Sequence, residues 1–83
     1  MKAAEVFNLI NVGGTDHLRK KLKKYGLEER MKVLKDCYPH VGSSNRSLKF
    51  FKENFSVELG ALASVECDVD RAVQLYRRAE KNK

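Results

Sequence analysis

The sequence is poor in cysteine, and it lacks both long apolar runs and a signal-like N-terminus. Two cysteines among 83 residues are too few for a disulfide framework, and they form no C-x-x-C pair. No apolar run approaches the length of about 18 residues that a transmembrane helix needs, and no apolar core follows Met1. We therefore expect a cytoplasmic protein that has no membrane partner.

Catalytic and metal-binding motifs are also missing. The chain has no G-x-S-x-G elbow, Walker loop or H-E-x-x-H motif. Cys37 and His40 have C-x-x-H spacing, but a structural zinc site usually contains a second close pair, which His17 and Cys67 do not form. We expect neither an enzyme nor a bound metal or other cofactor, and we interpret both cysteines as small core residues.

Strand signals are scarce, and helical periodicity runs through most of the chain. No hairpin dipeptide joins two alternating runs. The sequence predicts an all-α, compact single domain over residues 1–83, built of five or six short helices and with room for a helix-turn-helix. The expected helices cover about 2–11, 16–25, 28–37, 46–54, a short segment after Ser56, and 69–80.

Turn and capping residues mark the expected helix ends. The pair Gly13-Gly14 is predicted to end the first helix, and Thr15 or Asp16 to cap the second. Gly26 suits the left-handed position after a helix. Further expected markers are Pro39 as a stop, and Ser44 or Asn45, Ser56 and Asp68 as N-caps.

Apolar spacing also predicts which faces are buried. On the fourth helix, Leu48, Phe51 and Phe55 are expected to face the core, which leaves Phe50 as a candidate for an exposed partner surface. The residues expected to pack inward from the short fifth helix are Val57, Leu59, Leu62 and Ala63.

Positive charge is concentrated in the N-terminal third. The net charge is +6, residues 1–27 contain six basic and two acidic residues, and residues 56–83 contain five of each. Positive charge that is concentrated in one region indicates binding to a localised anionic partner, whereas charge that only keeps a protein soluble need not be concentrated.

The stretch Leu18-Arg19-Lys20-Lys21-Leu22-Lys23-Lys24-Tyr25-Gly26 dominates this charge. Leu18, Leu22 and Tyr25 follow i, i+4 and i+7, as one buried stripe of a helix does. The basic residues then cover the exposed side, where they could contact phosphates or simply solvate the helix. The lack of any acid from His17 to Leu27 favours an anionic partner, because solvated faces usually mix both signs.

This stretch, with the preceding Gly14-Thr15, resembles the recognition helix of the Fis family of bacterial nucleoid and inversion-stimulating proteins. The resemblance covers residues 14–26. It implies a helix-turn-helix whose second helix enters the major groove of DNA. It also implies that Arg19, Lys20 and Lys23 are DNA contacts and that Thr15 contacts a phosphate.

These observations lead to two hypotheses of function. The first is a small DNA-binding protein, a bacterial or phage-type regulator of transcription or recombination, which uses the 16–25 helix on double-stranded DNA. A homodimer is expected, because one short helix gives little specificity. The second is a protein-interaction module, an adaptor or phage-type inhibitor of a host complex, whose basic face meets an acidic protein; RNA is a further alternative. The predicted nucleic-acid contacts are Thr15, Arg19, Lys20, Lys21, Lys23, Lys24, Arg46 and Lys49.

The C-terminal segment allows a second helix-turn-helix, in which Cys67 takes the turn position that often carries glycine. Arginines of the last helix could contact phosphate, although neighbouring acids offset their charge. We favour the interpretation that this helix completes the core through Val69, Val73 and Tyr76.

Overall fold

The computed structural model describes residues 1–81, which form six α-helices. The helices are α1 (Ala3–Asn11), α2 (Thr15–Lys24), α3 (Leu27–Cys37), α4 (Asn45–Asn54), α5 (Ser56–Ser64) and α6 (Val69–Lys81). A short 3₁₀ turn at Tyr38–His40 carries Pro39 and ends α3. The predicted all-α fold is confirmed, and the predicted helix ranges within residues 1–81 agree with the structure to about one residue.

The core forms where the six helices meet. Aromatic side chains fill much of it: the ring centroids of Phe50 and Phe51 lie 5.3 Å apart, and those of Phe50 and Phe55 lie 5.8 Å apart. Phe7 of α1 approaches Phe51 at 6.0 Å. The pair of Phe7 and Phe51 joins α1 to α4, whereas the other two pairs lie within α4 and the residue that follows it.

The buried face of α4 differs from the prediction. Phe50 is 5% exposed and lies in the core, whereas Leu48 is 37% exposed. The inward positions follow i, i+3 and i+4 from Ser47, not from Leu48. Ser47 is buried, and its backbone amide donates a hydrogen bond of 3.2 Å to the side chain of Ser44, which caps the helix. The expectation that Phe50 marks an exposed partner surface is therefore wrong.

The buried face of α5 also differs from the prediction. Val57 is 48% exposed and Ala63 is exposed, while Glu58, Ala61 and Leu62 are buried. An acid occupies an inward position because it has a cationic partner on α3, described below. The sequence-based assignment of Val57 and Ala63 to the core is wrong for this reason.

Two helices end in the same backbone motif. After α1, the Gly14 amide donates to the Leu9 carbonyl at 2.7 Å, and Gly13 has a φ of +82°. After α5, the Cys67 amide donates to the Leu62 carbonyl at 2.8 Å, and Glu66 has a φ of +53°. These six-residue closures are Schellman-type ends, which favour glycine at the left-handed position. The first helix has that glycine, whereas the fifth has a glutamate there, and the next residue, Cys67, also has a positive φ, of +63°.

Of the other predicted helix caps, some are wrong and one is correct. Gly26 has a φ of −59°, so it does not adopt the left-handed conformation; it directly precedes α3 as its N-cap. Gly14 is the N-cap of α2, and no side chain caps that helix, because glycine has none and Thr15 and Asp16 already lie within the helix. Ser56 is the first residue of α5 rather than its cap. Asp68 does cap α6, since its carboxylate accepts from the Arg71 amide at 3.4 Å.

The helices form a body that measures 36 × 23 × 21 Å. α2 packs mainly against α1, and α1 in turn contacts α3 and α4. α5 packs against α3, α4 and α6. α2 therefore lies at one side of the domain, attached by one face and open to solvent along the rest.

Candidate nucleic-acid interface

α2 is attached by two leucines. Leu18 and Leu22, one helical turn apart, are both fully buried, and Tyr25 is half-buried beyond the helix end. Side chains four residues apart lie on the same side of a helix, so this spacing turns one face of α2 into the core. The remaining surface is left to basic residues at fixed positions.

An acid on the first turn of α2 neutralises part of this surface. The carboxylate of Asp16 accepts a hydrogen bond from the Arg19 guanidinium, and the Lys20 ammonium lies 3.4 Å from its second oxygen. The Arg19 hydrogen bond and the Lys20 charge hold the pKa of this carboxyl below its ordinary value. The first two cations of α2 are therefore engaged within the helix.

The last cations of α2 have no such partner. Lys21, Lys23 and Lys24 are exposed, and within residues 1–81 they form no ion pair with an acid. They lie in the last turn, where the negative end of the helix dipole favours positive charge. These three ammonium groups remain free to meet an external anion.

An open groove joins the start of α2 to α4. Its volume is about 560 Å³, and Arg19, Arg46 and Lys49 line it together with Thr15. Four of the eight predicted contacts thus come together, although 27 residues of sequence separate Arg19 from Arg46. Acidic and neutral side chains also line the groove: Asp16, Glu53 and Asn54.

Arg46 is held in place at the end of α1. Its Nη1 donates a hydrogen bond to the carbonyl oxygen of Asn11 at 3.2 Å. A cation at a helix C-terminus is stabilised by the carbonyl groups that the helix leaves unpaired. One terminal nitrogen is used there, so the remaining donors of the guanidinium are available on the groove side.

The sequence reasoning missed a buried ion pair between α3 and α5. Arg30 of α3 and Glu58 of α5 are nearly buried, and Arg30 Nε lies 3.2 Å from Glu58 Oε2. Among the described atoms, the Arg30 Nε–H makes no hydrogen bond, so the contact is ionic rather than a directed bond. The sequence does place Arg30 three residues after Leu27, beside the buried stripe of α3, but it does not identify Glu58 as the partner.

Tyr76 of α6 completes this cluster. Its ring centroid lies 5.9 Å from the guanidinium carbon of Arg30. Burial, followed by the nearby Glu58 carboxylate, raises the pKa of Tyr76. The cluster joins α3, α5 and α6, and its burial identifies it as a structural junction rather than a binding surface.

The cysteines and histidines do not assemble. Cys37 is fully buried, and burial raises the pKa of its thiol to about 12, so it is protonated at neutral pH. Cys67 is half-buried. In the described part of the chain, no group of three or more His, Cys, Asp or Glu side chains could hold a metal ion. None of the helices between residues 1 and 81 is long and apolar enough to cross a membrane.

Comparisons with known proteins found no relative of this chain. The chain matches no protein-family model, no curated protein and no solved structure. The likeness of residues 14–26 to the Fis recognition helix therefore stays a prediction.

Proposed function

We propose that this chain binds double-stranded DNA, as a small bacterial or phage-type regulator, with α2 as its principal contact. The observation that carries the proposal is the arrangement of its cations. A helix fixed by Leu18 and Leu22 presents lysines to solvent, and its first turn shares a groove with Arg46 and Lys49 of α4. Two rigid elements thus offer positive charge to one extended anion.

The connection between α1 and α2 supports this proposal. Three residues, Val12 to Gly14, join the two helices, and Gly13 adopts the left-handed conformation. A turn of three or four residues that contains glycine is typical of helix-turn-helix units. In such units the second helix lies in the major groove, which is the role proposed for α2.

The lysines and the arginines would make different kinds of contact with the DNA. Lysine ammonium groups on the outer side of α2 act as point charges toward phosphates and position the helix. Arg19 and Arg46 have planar guanidinium groups that can donate two parallel hydrogen bonds to a phosphate or a guanine edge. Lys49 adds a second phosphate contact from α4.

A salt titration of binding tests the proposal. Fluorescence anisotropy would follow a labelled duplex of about 20 base pairs between about 50 and 200 mM salt, where counterion release weakens phosphate contacts steeply. The variant Lys21→Ala/Lys24→Ala removes two exposed cations about one turn apart that form no ion pair within residues 1–81. We expect weaker binding and a salt slope reduced by about two, since each phosphate contact contributes about 0.9.

The matched control removes two cations from another helix. Lys32 and Lys35 are exposed on α3, and Lys32→Ala/Lys35→Ala changes the net charge by the same amount. An equal loss in both variants would mean that α2 has no special role. If the parent chain binds no duplex even at the lowest salt, the proposal is wrong and an acidic protein partner becomes the better hypothesis. Tighter binding to RNA of the same sequence would point to the RNA alternative.

A further inference from the structure

The outward side of α6 carries a row of side chains that are suited to nucleic acid. Three exposed residues spaced i, i+3 and i+7 form this row, which we call the α6 stripe: Arg71, Gln74 and Arg78. Ala72 and Val73 are buried on the other side of the helix. One side of α6 therefore completes the core, while the α6 stripe faces solvent.

The acids of this segment lie outside the α6 stripe. Asp68 precedes the helix, and its Oδ2 is 3.8 Å from the Nε of Arg71, in an exposed pair that is weak. Glu80 follows Tyr76 by four residues, so it lies on the Tyr76 side of the helix. Asp70 lies in the first turn, where the helix dipole favours an acid. The charge that these acids offset in the sequence is therefore still presented by the stripe.

The second half of the α6 stripe is free of internal partners. Within residues 1–81, Gln74 and Arg78 form no side-chain hydrogen bond and no ion pair. Residues 77–81 are all exposed, so the end of the helix extends past the core. α6 has 13 residues and is about 20 Å long. A helix with such a bare end can enter the major groove of DNA, which is about 12 Å wide.

The connection before α6 resembles the connection before α2. Four residues, Val65 to Asp68, join α5 to α6, and both Glu66 and Cys67 adopt the left-handed conformation. α5 also packs directly against α6. Packed helices joined by a turn of three or four residues occur in helix-turn-helix units, whose second helix lies in the major groove. Residues 1–81 thus contain two helix pairs of this kind, with α2 and α6 as their second helices.

We propose that α6 is a second DNA-contacting helix and that the α6 stripe reads base edges. This role rests on the proposed function, in which the chain binds double-stranded DNA. Arginine can donate two hydrogen bonds to guanine, and glutamine can bond to both N6 and N7 of adenine. α2 presents mostly lysines, which act as point charges toward phosphates. α2 therefore supplies most of the affinity, and α6 supplies preference for a base sequence.

Selection from a pool of random duplexes tests this proposal. The full chain would enrich duplexes of about 20 base pairs, and sequencing them would give the base preference at each position. We expect the parent to enrich a motif that contains guanine and adenine. Gln74→Ala should lose an adenine preference and Arg78→Ala a guanine preference. Each change should lower the affinity for the enriched duplex about tenfold, as measured by fluorescence anisotropy.

Arg77→Ala is the matched control for Arg78→Ala. Arg77 is exposed on the same helix and forms no ion pair within residues 1–81. It lies about 100° around the helix from Arg78, outside the α6 stripe. Its replacement should keep the enriched motif and lower the affinity less than about threefold. Alanine is the best helix former, so all these variants should fold, which circular dichroism verifies.

The outcomes separate this proposal from the proposed function. If Gln74→Ala and Arg78→Ala keep the parent's motif and affinity while Lys21→Ala/Lys24→Ala binds more weakly, only the role of α6 is overturned. A parent that binds duplexes without enriching a motif overturns it too, as do equal losses in Arg78→Ala and Arg77→Ala with an unchanged motif. A parent that binds no duplex overturns both proposals. Loss of the motif in the α6 variants, with full affinity in the α2 variant, would support α6 and overturn the role of α2.

Discussion

α2 and α5 are of similar length, but they place their charged residues on opposite sides. α2 buries Leu18 and Leu22 and turns its basic residues to solvent. α5 buries its acid, Glu58, and turns small and apolar residues to solvent. Each helix therefore offers a different kind of surface, one suited to an anion and the other to an uncharged partner.

The difference shows that the ion pairs of the two helices matter to the stability of the domain to different degrees. On α2, the pairs of Asp16 with Arg19 and Lys20 are exposed, and such surface pairs contribute little to folding. On α5, the pair of Glu58 with Arg30 is buried between helices, where removing one partner leaves an unpaired charge in the interior. Mutations in α5 should therefore change the stability of the domain, whereas mutations in α2 should change its binding.

The largest expected effect comes from Glu58→Ala. The change leaves the Arg30 guanidinium nearly buried without its carboxylate, and we expect the free energy of unfolding to fall by about 3 kcal/mol. A small domain has roughly 5 to 10 kcal/mol of stability in total, so the loss should be plain in urea denaturation. Glu53→Ala on α4 is the control, because Glu53 is exposed and forms no ion pair within residues 1–81.

A double variant separates the ion pair from its packing. Arg30→Met/Glu58→Leu replaces both charges by apolar side chains of comparable size, and most of the lost stability should return. If the double variant is as unstable as Glu58→Ala, the shape of this junction matters more than its charge. A loss below about 0.5 kcal/mol in Glu58→Ala itself would mean that the pair resembles the exposed pairs of α2.

The helix boundaries could be predicted because their signals are local. Gly13-Gly14, Ser44 and Asp68 act through bonds to residues a few positions away. The buried faces of α4 and α5 could not be predicted in the same way. Glu58 faces inward only because the distant Arg30 pairs with it, and sequence periodicity carries no record of that contact.

A smaller effect is expected at the end of α5. Glu66 is exposed and has a φ of +53° at the position where α1 ends with Gly13. Because a left-handed residue with a Cβ costs about 1 kcal/mol, Glu66→Gly should raise the free energy of unfolding by about that amount. Thermal or urea denaturation would measure the gain.

The reverse change at α1 provides the control. Gly13→Ala should lower the free energy of unfolding by about 1 kcal/mol, because Gly13 has a φ of +82°. Nothing lies within 4 Å of a methyl group built there among the described atoms, so the loss would come from the backbone alone. Equal effects of the same sign in both variants would contradict the shared motif.

The composition of the candidate site was predictable from the sequence, but the meeting of α2 and α4 at one groove was not. The basic residues of α2 were evident from the sequence, and so was the local charge excess. The shared groove of Arg19, Arg46 and Lys49 required the fold, because α1 brings α2 and α4 together. The pairing of Asp16 with Arg19 and Lys20 follows i, i+3 and i+4 spacing, a signal that the sequence already contained.

The smallest expected effect is a gain in DNA binding from Asp16→Asn. Asparagine keeps the size of the side chain but removes the charge that holds Arg19 and Lys20, so both cations become available to phosphates. We expect the affinity for duplex DNA to rise about two- to fivefold at low salt, and the gain to shrink as salt screens the added charge. Asp36→Asn on α3 changes the net charge equally at another exposed position and should have a weaker effect. Equal gains would mean that net charge alone governs binding, and an unchanged affinity in Asp16→Asn would remove Arg19 and Lys20 from the proposed interface.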